Sequence, residues 1–188
     1  MTPPIDHFGI LAPFYERFIR PKVSQTFWRL VDALPGQSLL DAGGGTGRVS
    51  QVLIGQGIRV VVADESPEML REASLKEGLL PLHTLTERLP FADETFERII
   101  MVDALHHVAH QQRTAEELFR VLKPGGRLVI EEPNVDLFAV KLLALGDQLL
   151  LMRSHFLNPR RMAELFSAHT AAVHLHHEDG TAWVLVEK

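Results

Sequence analysis

An aspartate, a cluster of glycines and a second aspartate 23 residues on are spaced to hold a nucleoside. The stretch LLDAGGGTGRVS covers Leu39 to Ser50, with Asp41 followed by Gly43, Gly44, Gly45 and Gly47. Glycines after an apolar run let backbone approach a ligand closely, and a helix starting near Arg48 would offer unpaired N–H groups. Asp64 closes the next apolar run, IRVVVAD. An acidic side chain there is placed to accept both hydroxyls of a ribose.

The kind of nucleoside follows from the details. A dinucleotide fingerprint G-x-G-x-x-G begun at Gly43 needs its third glycine at position 48, where the chain has Arg48. The loop reads D-x-G-x-G-x-G instead, and the leading Asp41 disfavours a pyrophosphate while suiting a positive amino group. S-adenosylmethionine carries such an amine, and a sulfonium as well. A nicotinamide oxidoreductase is the rival enzyme reading, weakened by Arg48 and Asp41. A tight strand–helix turn with no ligand is a poor account of so many glycines.

These residues need strand ends to carry them, and the rest of the chain supplies the pattern. Short apolar runs at Ser38 to Ala42, Ile58 to Ala63, Pro81 to Leu85, Glu97 to Val102 and Arg127 to Glu131 alternate with helical stretches. The helical stretches lie at Arg48 to Ile54, Pro67 to Lys76 and Gln111 to Leu122. Runs apolar on both faces suit strands covered on both sides, hence a parallel, doubly wound α/β sheet. Two further helices, Ile5 to Arg20 and Lys22 to Leu34, open the chain as a helical segment over 1–35. At the other end Ala171 to His177 and Thr181 to Val186 flank Glu178-Asp179-Gly180, the pattern of an antiparallel hairpin. One domain over 1–188 is expected.

Four blocks together, LLDAGGGTGRVS, VVVADESPEML, LPFADETFERIIMVDALHHV and ELFRVLKPGGRLVIEEPN, resemble the class I S-adenosylmethionine-dependent methyltransferases. The chain is similar in particular to the ubiquinone/menaquinone biosynthesis C-methyltransferases. The resemblance implies a Rossmann-like seven-stranded sheet in the order 3-2-1-4-5-7-6. It implies that Asp41 with the backbone of Gly43 and Gly45, in the loop that Gly47 completes, holds the methionine end of the cofactor. Asp64 would then hold the ribose, with Glu65 and Met69 bordering ribose and adenine. Where relatives often place an acid for the adenine amine this chain has Leu85, which leaves the backbone of Thr86 for that contact.

Ligands of open α/β sheets lie beyond the carboxyl ends of the strands. Asp103 ends the fourth strand and Glu131-Glu132 the fifth, so they face the methyl group or its surroundings. Methyl transfer to carbon or oxygen needs in-line approach and a base for the acceptor's proton. His106, His107 and Glu132 are the candidates, with His155 behind them. Packing and hydrogen bonding are the competing roles for the two histidines, and a polar strand exit for Glu131-Glu132. His106 and His110 have the i, i+4 spacing of a zinc pair but no third ligand, and no metal is expected. The apolar segment 135–157 is read as a helical lid over an apolar acceptor or as the surface of a homodimer.

Composition sets the limits. The chain has no cysteine, which removes thiolate metal sites and cysteine nucleophiles. A net charge of -5 with no basic stripe argues against nucleic acid as a partner. The opening residues lack a basic leader before an apolar run, and no stretch is apolar enough to span a bilayer. The expectation is a cytoplasmic enzyme acting on a small, apolar molecule. A protein that binds the cofactor without turning it over is the alternative from another class.

Overall fold

The computed structural model describes residues 24–134, 155–170, 172–178 and 180–188. Helix α1 (Gln25–Val31) starts at Ser24, whose hydroxyl accepts the Phe27 N–H, and stops at Asp32 in a left-handed turn. Strands β1 (Ser38–Ala42), β2 (Arg59–Asp64), β3 (Leu79–His83) and β4 (Phe96–Val102) follow. Helix α2 (Pro67–Ser74) lies between β2 and β3, capped by Ser66 with Pro67 in its first turn. Helix α3 (Gln111–Val121) leads into the long strand β5 (Leu122–Pro133), and a short helix α4 (Pro159–Glu164) precedes β6 (Val173–Glu178) and β7 (Thr181–Glu187). Tight 3₁₀ turns sit at Ser50–Leu53 and Leu105–His107.

The strands form one sheet in the order β3-β2-β1-β4-β5-β7-β6. The first five are parallel, and β7 and β6 run antiparallel to β5. This is the expected order, terminal hairpin included.

Both faces of the sheet are covered, as the two-sided apolar runs require. On one face Leu40, Ile99, Met101, Leu128 and Ile130 meet Ala115 and Leu118 of α3 and Phe166 beyond α4. On the other, Leu39, Ile100 and Val129 meet Phe27 and Val31 of α1, with Leu70 and Ala73 of α2. Helix α3 reaches the core through Thr114, Ala115, Leu118 and Val121, one stripe at helical spacing.

Several boundaries differ from the sequence reading, among them the start of β5, which is Leu122 where Arg127 was expected. The helix expected over Arg48 to Ile54 is only the 3₁₀ turn Ser50–Leu53, because β-branched Val49, Val52 and Ile54 and then Gly55 and Gly57 do not sustain a longer one. Strand β3 begins two residues earlier than Pro81, directly after Gly78, and ends at His83, so Leu85 lies beyond the sheet. Pro81 pairs with Val62 on an edge strand, a place in a sheet that tolerates it. Helix α1 falls within the expected second helix, Lys22 to Leu34. The first helix and most of the segment 135–157 lie outside the described residues. No described helix is long and apolar enough to cross a membrane.

Candidate functional site

The carboxyl ends of β1, β2, β4 and β5 bring the glycine loop, the two aspartates and the histidine pair to one rim of the sheet. Asp41 is 1% exposed, and its Oδ2 has no hydrogen-bond partner. Burial pushes its carboxyl up to about 6. The Ser50 hydroxyl lies near enough to oppose this, though it makes no hydrogen bond of its own. Asp64 nearby raises Asp41 further.

The loop stands on Ala63 of β2, whose carbonyl accepts Gly43 N–H at 2.7 Å and Gly44 N–H at 3.2 Å. Gly43 has φ 67, and a Cβ there would lie 2.7 Å from that of Ala104, so only glycine fits. The Gly43 N–H is therefore spent inside the fold and does not face a ligand. Gly45 differs. Its φ is 55, and an added Cβ would meet only Met69 Sδ at 3.9 Å and Asp64 Oδ2 at 4.0 Å. That leaves an open cradle walled by the groups expected around the nucleoside. Gly47 also has positive φ and closes the loop by donating to Gly44.

Asp64 accepts the Gly45 N–H through Oδ2 at 2.8 Å and the Ser66 N–H through Oδ1 at 2.9 Å. These bonds fix the carboxylate at the strand end, and a carboxylate accepts about four hydrogen bonds in all. Met69 is buried and Glu65 exposed beside it, with His83 Nε2 3.0 Å from the Glu65 carbonyl. The Thr86 hydroxyl lies 3.1 Å from that of Thr114 and 3.4 Å from Glu87 Oε2, so it is spent inside the fold. Leu85 is 52% exposed and belongs to neither core.

Asp103 takes the left-handed conformation, φ 51, where β4 ends, and pairs with Arg48 at 2.9 Å. Arg48 was legible only as the residue that breaks a dinucleotide fingerprint. Here its guanidinium spans from the glycine loop to β4. Beside it Glu131 accepts the Trp183 indole N–H at 2.5 Å. Burial pushes the Glu131 carboxyl up to about 7, the indole works against this, and Asp103 adds to it.

On the opposite face Glu132 is 3% exposed and accepts three N–H groups. Oε1 takes the backbone of Leu105 at 2.7 Å and of His106 at 3.4 Å, and Oε2 lies 2.5 Å from His106 Nδ1. The His106 ring is stacked on Phe156 at 4.2 Å and flanked by His107 at 3.9 Å. Burial pushes His107 down to about 4, with His106 alongside, which makes it a weak proton acceptor at neutral pH. His155 is exposed, and its backbone N–H donates to the His106 carbonyl at 2.6 Å. His110 is exposed at the start of α3. Among the described residues no three His, Asp or Glu side chains gather to hold a metal.

The sheet order is that of the methyltransferase fold. Residues 40–130 match the family described as a methyltransferase domain. It is 39% identical over 103 residues to a demethylmenaquinone methyltransferase of Streptomyces griseus, covering 54% of this chain and 45% of that one. It is 36% identical over 114 residues to a ubiquinone/menaquinone biosynthesis C-methyltransferase of Legionella pneumophila, covering 55% and 46%. The chain thus spans about half the length of the curated relatives it matches. Among solved structures it is similar to a chain in the complex of the Haloferax volcanii Trm112 methyltransferase activator with a methyltransferase (TM-score 0.80, 19% identity, 96% of this chain and 97% of that). A SAM-dependent methyltransferase from Thermotoga maritima gives a TM-score of 0.73 at 20% identity, covering 95% and 96%.

The cofactor of this family is S-adenosylmethionine, and the residues fit it. Asp41 Oδ2 is an orphaned buried acceptor, the natural partner for an ammonium. The Gly45 cradle is the space a side chain would fill.

Proposed function

We propose that the chain transfers the methyl group of S-adenosylmethionine to a small, apolar acceptor. The single observation that carries this reading is the unpartnered Asp41 oxygen beside the glycine loop. A buried carboxyl with a raised pKa is costly to keep unless a cation arrives to pair with it.

In this reading Asp41 binds the cofactor's amino group, the Gly45 cradle admits its ribose, and Asp64 accepts the ribose hydroxyls. Met69 and Glu65 border the adenine, with the backbone of Thr86 beside exposed Leu85. The cofactor supplies an activated methyl group. Asp103 and Arg48 shape the wall next to it. The acceptor sits over the ends of β4 and β5, where His106 on its Glu132 support is the proton acceptor nearest to hand. The acceptor's apolar character is supported by Phe156 against His106 and by relatives named for quinone biosynthesis. We also propose a cytoplasmic setting.

Calorimetric titration tests the reading. S-adenosylhomocysteine is expected to bind and NAD to give no comparable heat. Incubating metabolite extracts with methyl-labelled S-adenosylmethionine then finds the acceptor, and binding with no labelled product from any extract would reduce the protein to a carrier of the cofactor.

A further inference from the structure

The bond between Glu132 and His106 carries more than support. Glu132 is buried at the end of β5 and His106 lies in the 3₁₀ turn after β4, so two adjacent strands fix their separation. Glu132 Oε1 is occupied by the Leu105 and His106 backbone N–H groups. Its Oε2 faces only Nδ1, and a carboxylate can only accept, so Nδ1 must carry the proton. The other ring nitrogen, Nε2, then holds a lone pair. No described residue bonds to it. Phe156 and His107 lie against the ring, and His106 as a whole is 7% exposed, so an approaching group meets Nε2 in a narrow opening.

We propose that Glu132 is a positioning residue that locks His106 in the Nδ1–H tautomer, so that Nε2 takes the proton an acceptor sheds as it is methylated. This rests on the methyltransferase reading and deepens it by naming the acceptor class: molecules whose reacting atom bears an O–H or an activated C–H. The acceptor's electron pair forms the bond to the methyl carbon, and the carbon–sulfur pair stays on sulfur. The acceptor's proton passes to Nε2. The positive charge that leaves the sulfonium thus reappears on an imidazolium beside the Glu132 carboxylate. An acceptor with a lone pair and no proton to lose would gain nothing from this arrangement.

Replacing Glu132 by Gln makes a test that the geometry sharpens. The Leu105 N–H needs an acceptor, so it holds the Gln oxygen at the Oε1 position and leaves the amide NH₂ facing Nδ1. A donor there forces Nδ1 to accept and moves the ring proton to Nε2. The side chain keeps its size, yet the proton acceptor is lost.

Long-range ¹H–¹⁵N spectra of the whole chain at alkaline pH, where imidazoles are neutral, read which nitrogen is protonated. The wild type is expected to show His106 as Nδ1–H, with and without S-adenosylhomocysteine, and Glu132→Gln to show Nε2–H. The variant should bind S-adenosylhomocysteine within twofold of wild type. With the acceptor that takes labelled methyl, its kcat should fall by about 10²–10⁴-fold at unchanged KM. An Nε2–H ring in the wild type, or turnover by Glu132→Gln equal to wild type, overturns the proposal. The wild-type spectrum decides alone if the Gln variant fails to fold. Absence of S-adenosylhomocysteine binding by the wild type would instead defeat the methyltransferase reading, and the tautomer result would stand apart from it.

Discussion

Asp41 sets a conflict between stability and binding at the level of one carboxyl. With its pKa raised from 3.8 to about 6, the folded chain holds a proton that the unfolded chain releases earlier. Between those values the folded state binds more protons, so stability falls as pH rises, by up to about 3 kcal/mol once pH exceeds 6. Asp41→Asn removes this loss. Thermal melts without cofactor should show the variant more stable at pH 7 by about 1–3 kcal/mol, with the gap closing as pH falls towards 4. The same variant should bind S-adenosylhomocysteine more weakly, having lost the charge proposed to pair with the amine. Asp64→Ala belongs beside it, because in the proposed binding mode it removes hydrogen bonds to the ribose worth about 1.5–3 kcal/mol each. Calorimetry is expected to show at least a tenfold weaker Kd (about 1.4 kcal/mol), and unchanged affinity would place the ribose elsewhere.

At the scale of elements, the strand ends were readable and the turns between them were not. Asp41 and Asp64 each follow an apolar run, and period alone placed both on the rim. What closes the loop behind them was hidden: Gly43 answers to Ala104, more than 60 residues away in sequence. Glu132 was read as a base or a polar exit. Nothing local reveals that the Leu105 and His106 backbones and the His106 ring converge on it, because the contact crosses from β4 to β5. Phe156 is in the same position. Leu85 shows how a shifted strand changes a prediction, since β3 ends at His83 and leaves that side chain 52% exposed. A carboxylate there would be solvated, so Leu85→Asp should melt close to wild type. If the adenine amine lies within reach, S-adenosylhomocysteine binding tightens by about 0.5–1.5 kcal/mol; a melt that collapses would contradict the exposure seen here.

The whole molecule is two apolar layers kept apart by one sheet, and this follows from runs such as RVVVA and RIIMV that are apolar on both faces. Val31 lies in one layer and Leu118 in the other, and neither shares a cluster with the other. Leu118→Ala should cost about 2–5 kcal/mol and Val31→Ala about 1.5–3 kcal/mol. Denaturant unfolding of the double variant should return their sum to within about 0.5 kcal/mol, and a larger departure would mean that the sheet transmits strain between layers. The sheet also ends somewhere, and on one side it ends at β3. That margin carries Leu80, 50% exposed, the sort of apolar border on which a neighbouring chain could grow another strand. Pro81 sits in the middle of it with no amide hydrogen to give. A ladder started on that margin would lack a donor at its centre, so Pro81 works against the addition of a further strand there.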